Sequence, residues 1–217
     1  VQKIHLLLAG ANWRDRLLAC LGAFAGIAIT ALVCSVAQTP QALVPFLVAP
    51  MGASAVLVFA VPSSPLAQPW PVIGGNMISA AVGLACAALL GHGPWIAGLA
   101  VGLAITAMSL LRCLHPPGGA CALLPVLGAG LGPDFVLAPV GVNAVALATM
   151  GVAFHRISGH SYPHRPASLP VRPSLLAEDI DAALAEAHES FDVSREDLQA
   201  LLARAEEHAL ERRARRR

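Results

Sequence analysis

Residues 17–37 read LLACLGAFAGIAITALVCSVA, a run of 21 positions without one charged side chain. A helix needs about 20 apolar residues to cross the roughly 30 Å of hydrocarbon in a bilayer. This run meets that length by itself. Outward from it the pattern persists: between Leu17 and His155 the only formal charges are Arg112 and Asp134. Soluble domains carry charge on about a quarter of their residues. Here the share is 12%, with 56% hydrophobic residues and a mean hydropathy of +0.67. A bilayer is the solvent that rewards such a composition, and an all-α polytopic membrane protein is the predicted fold class.

Proline and glycine clusters punctuate the apolar runs. The predicted segments are Arg16–Ala37, Leu43–Val61, Val72–Leu90, Trp95–Cys113, Gly118–Leu131 and Phe135–Phe154. Gly91-His92-Gly93-Pro94 reads as a tight connection, and Pro62 to Pro71 as a proline-rich one. Lys3, Arg14 and Arg16 precede the first segment, and Arg156, Arg165 and Arg172 follow the last. Basic residues mark the cytoplasmic side. Both termini are therefore expected in the cytoplasm of a bacterial-type inner membrane, with an even number of crossings. Six crossings put Arg112 at the cytoplasmic end of the fourth and Asp134 outside. Four crossings with two re-entrant segments fit the same parity. The expected organisation is a cytoplasmic lead over 1–15, a transmembrane domain over 16–156, a proline-rich linker over 157–173 and a cytoplasmic helical tail over 174–217. No secretory signal is expected, because the first apolar run is too long for one and lacks a clear cleavage site.

The chain repeats itself weakly. Gly26-Ile27-Ala28-Ile29-Thr30-Ala31 matches Gly102-Leu103-Ala104-Ile105-Thr106-Ala107. Pro50-Met51-Gly52-Ala53-Ser54-Ala55 matches Pro117-Gly118-Gly119-Ala120-Cys121-Ala122, and Gly74 and Asn76 match Gly141 and Asn143. The three matches occur in the same order. They predict a 3+3 inverted repeat, since halves of three crossings each have opposite orientation.

Two segments are too short to span. From Met51 to Val61, and from Gly118 to Leu131, the apolar helical stretch falls below the length needed. Each follows proline, at Pro50 and at Pro116-Pro117, which sets a first helical turn and blocks helix before it. Each begins with small residues: Gly52, Ala53 and Ser54 in one, Gly118, Gly119, Ala120 and Cys121 in the other. The prediction is a pair of half-helices whose N-termini face a common centre. A helix N-terminus carries unpaired N–H groups and about half a positive charge. Two such ends make an anion site without any formal charge; the other reading is that Pro and Gly here only allow tight packing of small-residue helices. The sign agrees with what is missing: a cation site in a membrane normally carries a buried carboxylate, and Asp134 sits at a predicted loop.

Around these segments lie the other candidates. Ser54, Asn76, Asn143 and Gln68 are neutral polar groups able to complete an anion's shell. His115 could carry a proton, donate an N–H to substrate, or serve a backbone carbonyl. Arg112 is either a snorkelling interfacial residue or a basic guide at the cytoplasmic mouth. Cys113, His115 and Cys121 do not have the spacing of a metal site, and no metal or other cofactor is expected. No Ser-His-acid set or nucleotide loop appears, so no enzyme is predicted. The tail reads as two helices, one over Leu175–Glu189 capped by Ser174 and one over Arg195–Arg213 opened by a Ser194–Asp197 capping box. Leu198, Leu201, Leu202 and Ala205 form an apolar stripe for the membrane domain or for a second subunit in a homodimer. The basic end, Arg212 to Arg217, reads as a solvated tail that touches lipid rather than nucleic acid.

At Leu114-His115-Pro116-Pro117-Gly118-Gly119-Ala120 the chain resembles the HPP family of integral membrane proteins. The resemblance extends to Ala49–Leu57, to Ser64-Pro65-Leu66-Ala67-Gln68-Pro69-Trp70 and to Ile73-Gly74-Gly75-Asn76, covering about Arg16 to Phe154. Members in chloroplasts and cyanobacteria are linked to nitrite transport. The resemblance thus implies a transporter or channel for a small inorganic anion, nitrite first among the candidates. The rival expectation is a non-transporting membrane receptor or scaffold that signals through its cytoplasmic tail.

Overall fold

In a computed structural model the described residues are 13–37, 47–128, 130–165, 176–187 and 192–215. Helices are the regular elements they form, with no strand among them. Helix α1 spans Trp13–Ala37, α2 Pro50–Ala60, α3 Asn76–Leu90, α4 Pro94–Leu110, α5 Pro117–Leu127 and α6 Val142–Ser158, and the tail adds α7 Ala177–Ala187 and α8 Arg195–Ala214. A wide π turn, Pro71–Gly75, runs directly into α3, and Val136–Gly141 leads into α6 across a kink at Ala138, whose backbone is extended (φ -137°, ψ 122°). Counted with these turns, three helices are long and apolar enough to cross a membrane: Trp13–Val36, Pro71–Leu90 and Val136–Ser158. Pro50–Ala60, Pro94–Leu110 and Pro117–Leu127 are shorter. At 1.5 Å per residue, α2 and α5 each reach only about 16 Å. The start of the second predicted segment, Leu43 to Phe46, the Ser174 cap and both predicted ends of the first tail helix, Leu175 and Glu189, lie outside the described residues.

Proline sets where the short helices begin. Pro50 and Pro117 each occupy the first helical turn, where a missing N–H costs nothing. Glycine then sets how closely helices approach. A Cβ on Gly22 or Gly26 of α1 would come within 2.6 Å or 2.5 Å of the Phe59 ring of α2. One on Gly83 of α3 would lie 2.1 Å from the Ala122 carbonyl of α5, and one on Gly151 of α6 would lie 2.5 Å from Val58 of α2. These are small-residue contacts of the kind that hold helices together in lipid, where hydrophobicity cannot drive association. Met51, Val58, Val72, Val140 and Leu147 fill the resulting core. Outward, Phe24, Leu32, Trp95 and Leu110 are exposed, a surface suited to lipid rather than water.

The helices pair in a definite order. α1 packs on α2 and α6, and α4 packs on α5 and α3. α2 also meets α6, α5 meets α3, and α2 meets α5. Side-chain contacts fix which ends lie together. Trp70 Nε1 donates to the Leu111 carbonyl (3.2 Å), so the chain before α3 meets the end of α4. His155 Nε2 lies 2.9 Å from the Val58 carbonyl, joining the ends of α6 and α2. His160 faces Asp15 at the start of α1 at 3.9 Å. His92, between α3 and α4, lies 2.8 Å from the Val126 carbonyl at the far end of α5.

The tail differs from its expected stripe. Ala200 and Ala203 are buried, whereas Leu201 is 64% exposed and Ala205 is exposed as well. Leu201 stands two positions from Ala203, which is about 200° around a helix of 3.6 residues per turn. The covered face therefore excludes it. The cap at Ser194 forms as read, with Ser194 Oγ accepting the Asp197 N–H at 3.1 Å.

Candidate functional site

His115 stands between the end of α4 and the two prolines that open α5. Arg112 leaves the helical region at φ 53° after α4, and Pro116 and Pro117 have no N–H to continue a helix, so α4 does not run into α5, and the turn between them buries His115. Two glycines make room for it. A Cβ on Gly75 would lie 2.6 Å from the His115 Cβ. One on Gly118 would lie 2.7 Å from Ser79 Oγ and 2.9 Å from the Gly75 carbonyl oxygen. Neither position accepts a side chain without displacing backbone, and the starts of α3 and α5 meet there.

The His115 side chain is fully buried. Its Nδ1 lies 2.8 Å from the Leu66 carbonyl oxygen, which can only accept. In the neutral ring the proton is therefore on Nδ1, and Nε2 offers a lone pair. Ser54 Oγ, 2.8 Å away, donates to Nε2. The same oxygen accepts from Asn76 Nδ2 at 3.3 Å. Asn76 Nδ2 also donates to the Val72 carbonyl at 2.8 Å, inside the π turn, where the wider ladder leaves backbone acceptors short of N–H partners. Asn76 Oδ1 accepts from Cys121 Sγ at 3.1 Å. Four residues from α2, α3, α5 and the loop before α5 thus form one buried network without a formal charge. Ser79 Oγ, buried beside it, has no hydrogen-bond partner among the described residues.

The network has a second setting available. Ser54 Oγ also lies 3.2 Å from the Pro50 carbonyl. If His115 takes a proton, both ring nitrogens become donors. The Ser54 hydroxyl then turns its hydrogen to Pro50 and accepts from Nε2. One proton and one hydroxyl rotation convert an acceptor at Nε2 into a donor.

The remaining candidates are distributed by helix face. Pro50 and Ser54, like Pro117, Gly118 and Cys121, point inward and are buried. Gly52, Ala53 and Ala120 are exposed on the outward side of the same helix starts, and a Cβ on Gly52 would meet nothing within 4 Å. Gly119 is partly covered, with only Val101 within reach at 3.9 Å. The first amides of both helices have partners: Gly52 N–H bonds the Ala49 carbonyl (3.0 Å) and Gly118 N–H that of His115 (2.8 Å). Asn143 forms a separate node. Its Oδ1 accepts the Val48 N–H at 2.9 Å, and its Nδ2 lies 2.9 Å from Cys34 Sγ, tying α6 to α1 and to the entry of α2. Arg112 and Pro116 are exposed, and Arg112 turns the chain in the left-handed region at φ 53°.

Gln68 has a local role. It donates to the Pro62 and Ser64 carbonyls at 2.9 and 2.8 Å and accepts the His164 N–H at 2.8 Å. The turn it clamps, Pro65–Ala67, supplies the carbonyl that faces His115. Tyr162 donates to the neighbouring Ala67 carbonyl at 2.9 Å, and burial pushes its phenol up, which keeps it a donor. Sequence reading gave this turn no functional part. Its signals in the sequence are Pro65 and the block Ser64 to Trp70, on which the family resemblance also rests. The tail reaches the same region: Ser64 Oγ donates to the Asp192 carboxylate at 2.8 Å, and His164 Nε2 lies 2.8 Å from Asp197. Burial of Asp197 works against its ionisation. Hydrogen bonds from Ser194 and His164, with the charge of His164, outweigh that and hold the carboxyl below its usual value. Among the described residues no group of three or more His, Cys, Asp and Glu is placed to hold a metal ion.

The family model described as the HPP transmembrane region matches residues 9–163. Two Dictyostelium discoideum proteins described as transmembrane proteins are similar to this chain. One is 36% identical over 151 residues, 66% of this chain and 53% of its own length. The other is 40% identical over 113 residues, 50% of this chain and 36% of its own length. The chain thus spans about half the length of the first and about a third of the second. No solved structure matches it.

Proposed function

Because this chain belongs to the HPP transmembrane family, we propose that it is a transporter or channel for a small monovalent anion, with nitrite the favoured substrate. The observation that carries the reading is the buried, charge-free network of Ser54, His115, Asn76 and Cys121 at the inward faces of two proline-started short helices. Neutral donors with a single titratable ring suit a small anion, whose charge His115 offsets when it takes a proton.

The proposed architecture is a 3+3 inverted repeat in which α1, α2 and α3 exchange with α4, α5 and α6. Its support is the pairing order: α1 with α2 and α6 corresponds to α4 with α5 and α3, and α2 with α6 corresponds to α5 with α3. In this reading the chain passes the membrane six times, twice through the short helices. The start of α1, the ends of α2, α4 and α6 and the tail then share one side, the cytoplasmic side of an inner membrane. The contacts of Asp15 with His160, Val58 with His155 and Trp70 with Leu111 agree with that. The exposed Gly52, Ala53 and Ala120 and the partly covered Gly119 line the approach on the outward faces of the two helix starts, with Arg112 steering at the mouth.

Purified protein in liposomes is expected to move nitrite or nitrate down an imposed gradient. Flux restricted to cations across a panel of nitrite, nitrate, chloride, bicarbonate, formate and alkali ions would overturn the reading. Docking of the tail on the membrane domain favours one alternative, a receptor that signals through the tail. That alternative requires anion binding without flux in the same vesicles.

A further inference from the structure

A line of hydrogen bonds runs from the tail to the centre of the network, every donor pointing the same way. Cys121 Sγ–H points at Asn76 Oδ1, Asn76 Nδ2–H at Ser54 Oγ, Ser54 O–H at His115 Nε2 and His115 Nδ1–H at the Leu66 carbonyl. One residue carries the line on. The Leu66 N–H donates to Ser64 Oγ at 3.1 Å, and the Ser64 hydroxyl donates to both oxygens of Asp192, at 2.8 and 3.0 Å. On each side of Leu66 the bonds strengthen one another, because a group that donates becomes a better acceptor. The line ends on a carboxylate, the strongest acceptor available.

We infer that Asp192 and Ser64 are positioning residues for His115: the tail carboxylate orients the Ser64 hydroxyl, Ser64 caps the Pro65–Ala67 turn, and the turn presents the Leu66 carbonyl that keeps the imidazole proton on Nδ1. The two peptide groups flanking Leu66 are joined covalently, so the line transmits orientation and not a proton. Ser64 is itself 3% exposed and its hydroxyl has one hydrogen. Committing that hydrogen to Asp192 leaves the oxygen free to accept from Leu66, the arrangement an N-cap of this turn requires. Without Asp192 the hydroxyl has no such commitment, and the turn loses its register against His115. Ser54 then faces a ring whose Nε2 is a donor in part of the molecules, and in those its hydroxyl turns to the Pro50 carbonyl and accepts from Nε2.

This inference takes His115 to be a binding-site group, as proposed above, but its test does not depend on transport. Full-length protein with ¹⁵N-labelled histidine in nanodiscs at neutral pH is compared by NMR, with His115 assigned through His115→Gln. Wild type is expected to show one protonated-type and one bare-type ring nitrogen, with the proton on Nδ1. In Asp192→Ala and in Ser64→Ala the two resonances are expected to move toward their mean as both tautomers populate. Ser64→Thr, which keeps the hydroxyl, is expected to restore the wild-type pair. Asp192→Ala changes a residue outside the membrane helices, so its result stands even if a Ser64 variant folds poorly. An unchanged Nδ1–H signature in Asp192→Ala overturns the inference. A shifted tautomer with no anion flux in wild type would instead keep it and overturn the transport reading.

Discussion

Ser54 of α2 and His115, 61 positions later, meet in the interior with Oγ and Nε2 2.8 Å apart. Because Nδ1 of the same ring serves the Leu66 carbonyl, Ser54 is the donor. Replacing Ser54 with Ala leaves Nε2 and Asn76 Nδ2 without this partner in a buried site. The cost of such a loss is about 1–3 kcal/mol. Ser54→Ala is expected to lower the thermal midpoint in detergent, and Ser54→Thr, which keeps the hydroxyl, to lower it less. Equal midpoints for wild type and Ser54→Ala would show that the bond contributes nothing.

Glycines at the site divide into two classes. Gly75→Ala and Gly118→Ala place a Cβ against backbone carbonyls at 2.7 and 2.9 Å, and overpacking of this kind costs about 1–3 kcal/mol. Both variants are expected to reduce the yield of monodisperse protein in size-exclusion chromatography. Gly119→Val meets little, so it should fold as wild type yet abolish flux, because its side chain fills the approach. A folded Gly119→Val protein with normal transport would place the anion path elsewhere.

His115→Gln separates two roles. Glutamine keeps an N–H donor but cannot titrate. Flux that persists while losing its pH dependence would make His115 the proton-carrying group. Flux that disappears at every pH, in folded protein, would make the ring itself the requirement.

Arg112 combines a left-handed backbone with an exposed charge. Glycine adopts that conformation freely, and the penalty for other residues is about 1–2 kcal/mol. Arg112→Gly is therefore expected to be more stable than Arg112→Ala. Both should lower flux at limiting substrate and flatten its salt dependence, since a charge at a mouth acts by steering. Comparing thermal midpoints and initial rates at two ionic strengths checks the two parts independently.

Tail docking should depend on pH through Asp197. Its carboxyl is held below the ordinary 3.8, so the contact contributes fully above that value and is lost only as pH falls through the lower folded value. Hydrogen-exchange protection of α8 should persist through the ordinary aspartate range and fail below it. Asp197→Asn should weaken it already at neutral pH. Protection that disappears on the alkaline side of 3.8 while Asp197→Asn behaves as wild type would contradict the assignment.

The membrane character of this chain was legible in local sequence. A charge-free run is apolar whatever it packs against, and Pro50 and Pro117 start helices by their own ring geometry. The segment order, the two short helices and the Ser194 cap followed from such signals. Several residues worth examining could also be named, among them Ser54, Asn76, His115 and Cys121. Which of them meet was decided by packing. Asn76 and Asn143 hold equivalent places in the sequence repeat, yet one joins the His115 network and the other ties α1 to α6. Gln68 looked like a shell residue and clamps its own loop. Leu201 looked buried and faces out. The Leu66 carbonyl carries no sequence signal, because every residue has one. Its role exists only because Gly75 and Gly118 let two helix starts close on His115, and that approach is a property of chain segments about forty positions apart, set by steric fit in three dimensions.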